Sequence, residues 1–340
     1  MIWAKAEGCC VWDAAGREYI DLTGGFGVAA LGHRNPHVLE AIASAPVVHA
    51  LGDLAEAEVT EQFRRALPWP AKLGVTGEDA VEIALRTALL ATGNPGIVAF
   101  DGAYHGTGLL ALAATGLERF RDPFAAWLPG PVHRRTYGED PGALPDDAGV
   151  VIVEPVQGRA GARVPPDEFL PGLRKRCDDA GALLVVDAIF TGLGRIGEMW
   201  PGSELADVIC VGKALGGGLP LSAALFVRPK LEQVWDLGPE DLYTHTHSGN
   251  PLACAAALVV LEEVPKLLPR IAALSERFAS AGWSGRGLLR TTPGSAAAAE
   301  RAGVLVIPVS ASVGQPELIQ AAPPFTLTDD ELDASFSRLA

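Results

Sequence analysis

Residues 182–220 read ALLVVDAIFTGLGRIGEMWPGSELADVICVGKALGGGLP, and the rest of the chain is interpreted outward from them. Residues 183–186 form a short continuous apolar run with β-branched members, the pattern of a strand buried on both faces, and Asp187 stands where that strand ends. Residues 208–211 repeat the pattern, and Lys213 follows them. In open α/β sheets, ligands lie beyond the carboxyl ends of the strands, so two adjacent strand ends would aim a carboxylate and an amine into one crevice. Gly192-Leu-Gly194-Arg-Ile-Gly197 has the glycine spacing of a dinucleotide site, but such glycines must close a strand and open a helix. Four residues separate Asp187 from Gly192, and the Glu-Met-Trp-Pro-Gly that follows will not start a long helix, so that reading fails on context.

Upstream, residues 149–153 are another buried strand, ending at Glu154-Pro-Val-Gln-Gly-Arg159, and 166–180 are predicted as the helix that leads back to Leu183. Residues 96–100 are a strand ending near Tyr104 and His105, where an aromatic can stack on a flat heteroaromatic ring. Thr76-Gly77-Glu78 precedes apolar residues at helical spacing over 80–90, and a turn of this kind offers free N–H groups and a positive dipole end to a phosphate. Helices are predicted over 51–66 and 36–43, the latter with proline in its first turn, and a hairpin over 8–22 turning at 13–16. Downstream, 223–227 is a strand, 243–251 a loop and 252–264 the start of a long alanine-rich helix; 295–302 is a helix or loop, and 303–309 an apolar run. Strand–helix pairs of about thirty residues describe an α/β fold, a mainly parallel sheet covered by helices on both sides. The expected division is a large domain over 45–255 and a smaller α+β domain assembled from 1–44 and 256–340.

At 340 residues, 49% of them hydrophobic, the chain can bury a large core. A net charge of −14 argues against nucleic acid or an anionic membrane as the main partner. With no charged-then-apolar leader and no apolar run of about eighteen residues, the expected location is the cytoplasm. Five cysteines, odd in number and without metal-ligand spacing, read as reduced thiols, and no metal is expected.

A strand-end amine beside a strand-end carboxylate suits pyridoxal 5′-phosphate. The amine can form a Schiff base with the cofactor's aldehyde, and the carboxylate can keep the pyridine nitrogen protonated so that the ring takes up the electrons of a substrate carbanion. The motifs GCCVWDAAGREYIDL, LGHRNPHV, TGEDAVEIA, GAYHG, EPVQG, VVDAIFTGLGR, VGKALGGGLP, THSGNPLACAAAL and APPFTLTDDEL occur in one order from about Glu7 to the C-terminus. Together they resemble the class III aminotransferases, the ornithine-, 4-aminobutyrate- and acetylornithine-like enzymes of fold type I. The resemblance implies transfer of an amino group between an amine or amino acid and an oxo acid. It assigns Lys213 as the Schiff-base lysine, Asp187 as partner of the pyridine nitrogen, and Tyr104 as the stacking aromatic with His105 beside it. It further assigns the N–H groups of Gly77 and Glu78 to the phosphate, and Thr246 to the phosphate of a neighbouring subunit, which makes a homodimer the minimum assembly. Glu154 falls in a motif taken to support the site structurally.

The chain also departs from the family pattern. Where most members read Asp-Glu-Val-Gln, it reads Asp187-Ala-Ile-Phe190, and Phe190 cannot donate to the cofactor's phenolic oxygen as the glutamine does. An acid common after EPVQG is replaced by Arg159, and an arginine common before Ala-Pro-Pro is replaced by Gln320, so the pocket's positive charge is expected to have changed sides. Arg159, a planar bidentate donor, is therefore a candidate for binding a substrate carboxylate, with Gln320 opposite. The segment that usually precedes Glu7 is absent, and part of the substrate mouth is expected to be missing or replaced. The alternatives on the same scaffold are an aminomutase, racemase, decarboxylase or elimination/replacement enzyme, and, from another class, a non-catalytic binding protein.

Overall fold

The computed structural model describes residues 1–51, 54–228, 230–238, 242–309 and 317–340. At its centre is a sheet of seven strands: β1 (Ala71–Gly74), β2 (Gly96–Phe100), β3 (Val132–Arg135), β4 (Ala148–Val153), β5 (Leu183–Asp187), β6 (Val208–Val211) and β7 (Ser222–Phe226). Their order is β1-β7-β6-β5-β4-β2-β3. The pairs from β6 to β3 are all parallel, while β7 runs antiparallel to both β6 and β1. Side chains alternate between faces with the period of the pleat. Val98, Phe100, Val151, Val153, Leu184, Val186, Ile209 and Val211 enter one apolar cluster. Ile97, Ala99, Val150, Ile152, Val185, Val208 and Cys210 enter the other. Both faces are thus dry, which is why these strands read as continuous apolar runs; each fully buried Val, Leu or Ile contributes about 1.5–3 kcal/mol.

The predicted hairpin is present as Cys10–Asp13 against Glu18–Asp21, with Trp3–Glu7 added at its edge. The apolar run at 303–309 is divided between two sheets. Val304–Leu305 lies parallel to Ile20 and Asp21 of the hairpin, while Ile307–Val309 pairs with Leu318–Ala321 in a sheet completed by Leu289–Pro293 and Ser284–Arg286. One short segment therefore stitches the N-terminal hairpin to the C-terminal sheet. Arg195, wholly buried, adds a second tie: its Nη1 donates to the carbonyls of Leu288 and Pro323, 3.3 and 2.6 Å away, and its guanidinium lies over Phe325.

Some expectations need correction. The helix predicted over 51–66 runs from Glu58 to Ala66. Leu51 and Leu54 are exposed and face no core, and the amphipathic spacing that buries Thr60 and Phe63 begins only after Ala57; residues 52 and 53 lie outside the described residues. The helix expected from 166 starts at Phe169, and the one expected from 252 spans Pro251–Ser280, where it packs on Pro36–Ser44 and Glu58–Ala66. Strands β1 and β3 carry Lys72, His133, Arg134 and Arg135 in place of an apolar run and were not foreseen. All five cysteines are free. Among the described residues no helix is long and apolar enough to cross a membrane.

Just before β6, Asp207 is fully buried, accepts from the Leu184 N–H at 2.6 Å and from Arg174 at 2.7 Å, and pairs with Arg228. It pins the start of β5 to the start of β6. Asp207→Ala would leave the buried Leu184 N–H without its acceptor and take one of two carboxylates from Arg174 and Arg228, which both keep Asp178, and is expected to lower unfolding free energy by about 2 kcal/mol in chemical denaturation. A loss below about 0.5 kcal/mol, the range of ordinary surface changes, would show that the pin is not needed.

Candidate active site

Five parallel-running strand ends converge on one cavity of about 420 Å³. Beyond β1 come Thr76, Gly77 and Glu78; beyond β2, Tyr104, His105 and Gly106. Beyond β4 come Glu154 and Arg159, beyond β5 Ile189 and Phe190 follow Asp187, and beyond β6 comes Lys213. Asp187 and Lys213 face the same space because their strands are neighbours in parallel register, Asp187 opposite Cys210. Lys213 sits at φ 43°, a left-handed conformation that costs a non-glycine residue energy and that clusters at functional positions.

The polar groups are held from behind. Asp187 Oδ2 accepts from His105 Nδ1 at 2.8 Å, and Oδ1 from the Ile189 N–H at 3.1 Å. His105 is itself buried, leaving Nε2 without a hydrogen-bond partner. Glu154 joins two loops, accepting the Tyr104 N–H at 2.9 Å and the Gly158 N–H at 3.1 Å. Burial pushes the Glu154 carboxyl up to about 7, with the Asp187 charge adding to the shift and His105 opposing it. Burial likewise brings the Lys213 ammonium down to about 8; Asp187 and Glu154 oppose the shift, while Arg159 and Arg195 reinforce it.

These residues fit pyridoxal phosphate. In the first turn of the Gly77–Thr92 helix the Asp79 N–H is taken by Thr76, while the N–H groups of Gly77 and Glu78 have no intrahelical acceptor and can take a phosphate. Glu78, an acid at that position, has its Oε2 occupied by the N–H and hydroxyl of Thr107 and the N–H of Gly108, at 2.8, 2.8 and 3.0 Å. A Cβ at Gly77 would stand 3.0 Å from Ile189, so the cradle has no room for a larger residue without a shift. The Asp187 carboxylate and the Lys213 amine supply an acceptor for a pyridinium N–H and a nucleophile.

Phe190 lies 4.5 Å under the Lys213 ammonium, measured to its ring centre. Its ring occupies space that a side chain at either of two glycines would need: a Cβ on Gly158 would come within 2.4 Å of it and one on Gly27 within 2.7 Å. Thr246 is exposed and is not among the residues lining this cavity, and Gln320 is buried in the Leu318–Ala321 strand, Nε2 unpartnered, also away from the lining. Phe26, Thr76, Gly106 and Ile189 line the cavity without having been singled out. For Phe26 the signal was the run of glycines around it: residues 24–27 all take positive φ, a left-handed turn that three glycines tolerate and Phe26 is carried into.

An amine facing a carboxylate beyond a parallel sheet, with a helix N-terminus beside them, defines the site of a pyridoxal-phosphate-dependent transferase. Residues 1–281 match the family described as aminotransferase class-III. The chain is 34% identical to the acetylornithine aminotransferase of Methanopyrus kandleri, covering 98% of this chain and 92% of that one. It is 36% identical to the putrescine aminotransferase of Pectobacterium atrosepticum over 81% of this chain and 64% of that protein. The ornithine aminotransferase of Toxoplasma gondii, whose crystal structure has partial occupancy of pyridoxal phosphate at its active site, shares the fold with TM-score 0.87 at 24% identity, covering 99% of this chain and 89% of that one. The chain belongs to the class III aminotransferases, and it is a pyridoxal-phosphate-dependent enzyme of amino-group transfer.

The buried amine gives a measurable signature in the cofactor-free protein. Because its folded value, about 8, lies below the ordinary lysine value of about 10.4, the unfolded chain binds more protons between these two values, and this group's contribution to stability rises with pH across that window. Competitive acetylation read by mass spectrometry should give Lys213 a midpoint near pH 8. A midpoint at the ordinary lysine value of about 10.4 would mean the amine is solvated.

Proposed function

We propose that this chain is a cytoplasmic homodimeric aminotransferase in which Lys213 carries the cofactor and moves the proton. The observation that carries the proposal is the convergence of Lys213, Asp187, Tyr104 and the Gly77–Glu78 N–H groups on one cavity. When bound, pyridoxal phosphate supplies an aldehyde that condenses with amines and a ring that takes up the electrons of the bond broken at the substrate carbon. Lys213 would hold the cofactor through Nζ, and its amine, when free, would serve as general base and acid at the substrate α-carbon. A depressed lysine is suited to this work because its free amine is present near neutral pH. Asp187, kept in place by His105 and the Ile189 N–H, would hold the ring nitrogen as its acceptor, and Tyr104 would supply the stacking aromatic.

Thr246 stands on an exposed loop and reaches the phosphate of the partner subunit, so the dimer completes two sites at once. That loop is tied to the phosphate helix of its own subunit, since Asp79 accepts from the Tyr243 hydroxyl at 3.3 Å and pairs with His245 at 3.2 Å. The division into a large cofactor domain, 45–255, and a small domain from 1–44 and 256–340 is supported by the position of the seven-stranded sheet within 71–226. Substrates are an amine or amino acid and an oxo acid, with Arg159, among the described residues the one guanidinium lining the cavity, turned toward them; Gln320, buried outside that lining, puts no charge on the cavity wall. Phe190 favours a second reading, racemisation, decarboxylation or elimination at the same carbon, because an apolar ring in place of a donor alters the basicity of the bound cofactor.

Visible absorbance tests both readings. The purified protein should carry a cofactor band that an amino donor bleaches and an oxo acid restores, and Lys213→Ala should lose cyclic turnover by at least about a thousandfold. A band that no donor bleaches would reject transamination, and a fully active Lys213→Ala would reject the assignment of the lysine.

A further inference from the structure

Arg159 has an unusual setting. Its guanidinium carbon lies 4.9 Å from the ring centre of Tyr104, 5.3 Å from that of Phe120 and 5.6 Å from that of Phe26. Tyr104 and Phe120 meet edge to face at 5.1 Å. Three aromatic faces therefore hold the planar cation in position, an arrangement favourable in itself. Nε is buried without a hydrogen-bond partner, and among the described residues no carboxylate forms an ion pair with Arg159. The three acids that line the cavity are already engaged, Glu154 by the N–H groups of Tyr104 and Gly158, Asp187 by His105 and Ile189, and Glu78 by Thr107 and Gly108. A second arginine stands on the same ring: the Arg119 guanidinium is 4.9 Å from the centre of Phe120 and exposed to solvent, outside the residues that line the cavity.

A charged side chain that must serve both an anionic and a neutral substrate needs an acid to pair with while the neutral one is bound. Arg159 has none, and its stacked position does not offer another. An alkyl chain entering here would bury an unpaired cation, and a second ammonium would meet two guanidinium groups of like charge; a carboxylate would satisfy the free N–H groups in a bidentate pair. We propose that Arg159, with Arg119 behind Phe120, is a permanent carboxylate seat, and that the substrates of both half-reactions carry a carboxylate at the end remote from the reacting carbon. Alkylamines and primary diamines are excluded. The proposal rests on the amino-transfer reading for the identity of the reacting end, but the seat itself belongs to the protein without cofactor.

Two experiments separate the parts. In the cofactor-free protein, linear dicarboxylates such as glutarate should raise the melting temperature, diols and diamines of the same length should not, and the shift should vanish in Arg159→Gln and shrink in Arg119→Gln. In the holoenzyme, the rate of cofactor bleaching is measured for ω-amino acids of rising chain length, the alkylamines of the same lengths and the matching diamines. The best ω-amino acid should exceed its alkylamine by about 100-fold in kcat/KM, the scale of a charge-assisted hydrogen-bond pair, and Arg159→Gln should collapse that ratio toward one. Arg159→Lys, which keeps the charge and loses the planar fork, serves if the glutamine variant does not fold, and should recover only part of the ratio. Alkylamines or diamines reacting within about fivefold of the amino acids, or a ratio unchanged in both variants, would overturn the proposal. If no amine bleaches the cofactor while glutarate still stabilises the protein through Arg159, the seat stands and the amino-transfer reading falls.

Discussion

Asp187 and Lys213 share one desolvated space because they end neighbouring strands of one parallel sheet, β5 and β6; the ends of β1, β2 and β4 deliver most of the rest of the site, and the 24–27 turn adds Phe26. The constraint is electrostatic as much as topological. An amine taken out of water drifts toward neutrality, and Lys213 does so over the face of Phe190, with two cations, Arg159 and Arg195, reinforcing the shift and the charges of Asp187 and Glu154 opposing it. Asp187 is fixed in the same space by an imidazole and a backbone N–H. Burial raises the Glu154 carboxyl to about 7 while it clamps the Tyr104 and Gly158 loops together.

Around this centre the departures from the family pattern form one connected patch. Phe190 fits because Gly27 and Gly158 lack side chains; the left-handed turn that contains Gly27 also carries Phe26 to the mouth, where it stacks on Arg159. Arg159 follows Gly158 directly. A substitution at 190 is thus coupled through two glycines to Arg159 on the cavity wall, and these positions should be treated as interacting, not additive, in any engineering of the pocket.

Much of this was legible in the sequence, for a physical reason. Strands buried on both faces read as unbroken apolar runs, and β2, β4, β5 and β6 are of that kind, so the ends that carry Asp187 and Lys213 could be placed in one crevice, while Tyr104 and Glu154 were brought to the site by the family resemblance. What the sequence hid depends on partners distant along the chain. Strand β1, Ala-Lys-Leu-Gly, has no β-branched residue and becomes a strand by pairing with β7; β3 carries two arginines and a histidine and lies at the sheet's edge. The run at 303–309 showed its burial but not that two sheets divide it. The packing of Phe190 between glycines and the three rings around Arg159 are contacts across loops, with no periodicity to announce them.

The account turns on Lys213 being the residue that binds the cofactor covalently. Reduction of the holoenzyme with borohydride, followed by proteolysis and mass spectrometry, tests this directly: one phosphopyridoxyl group per chain, on the peptide containing Lys213 and no other, is the result expected. Adducts spread over surface lysines, or none at position 213, would contradict it.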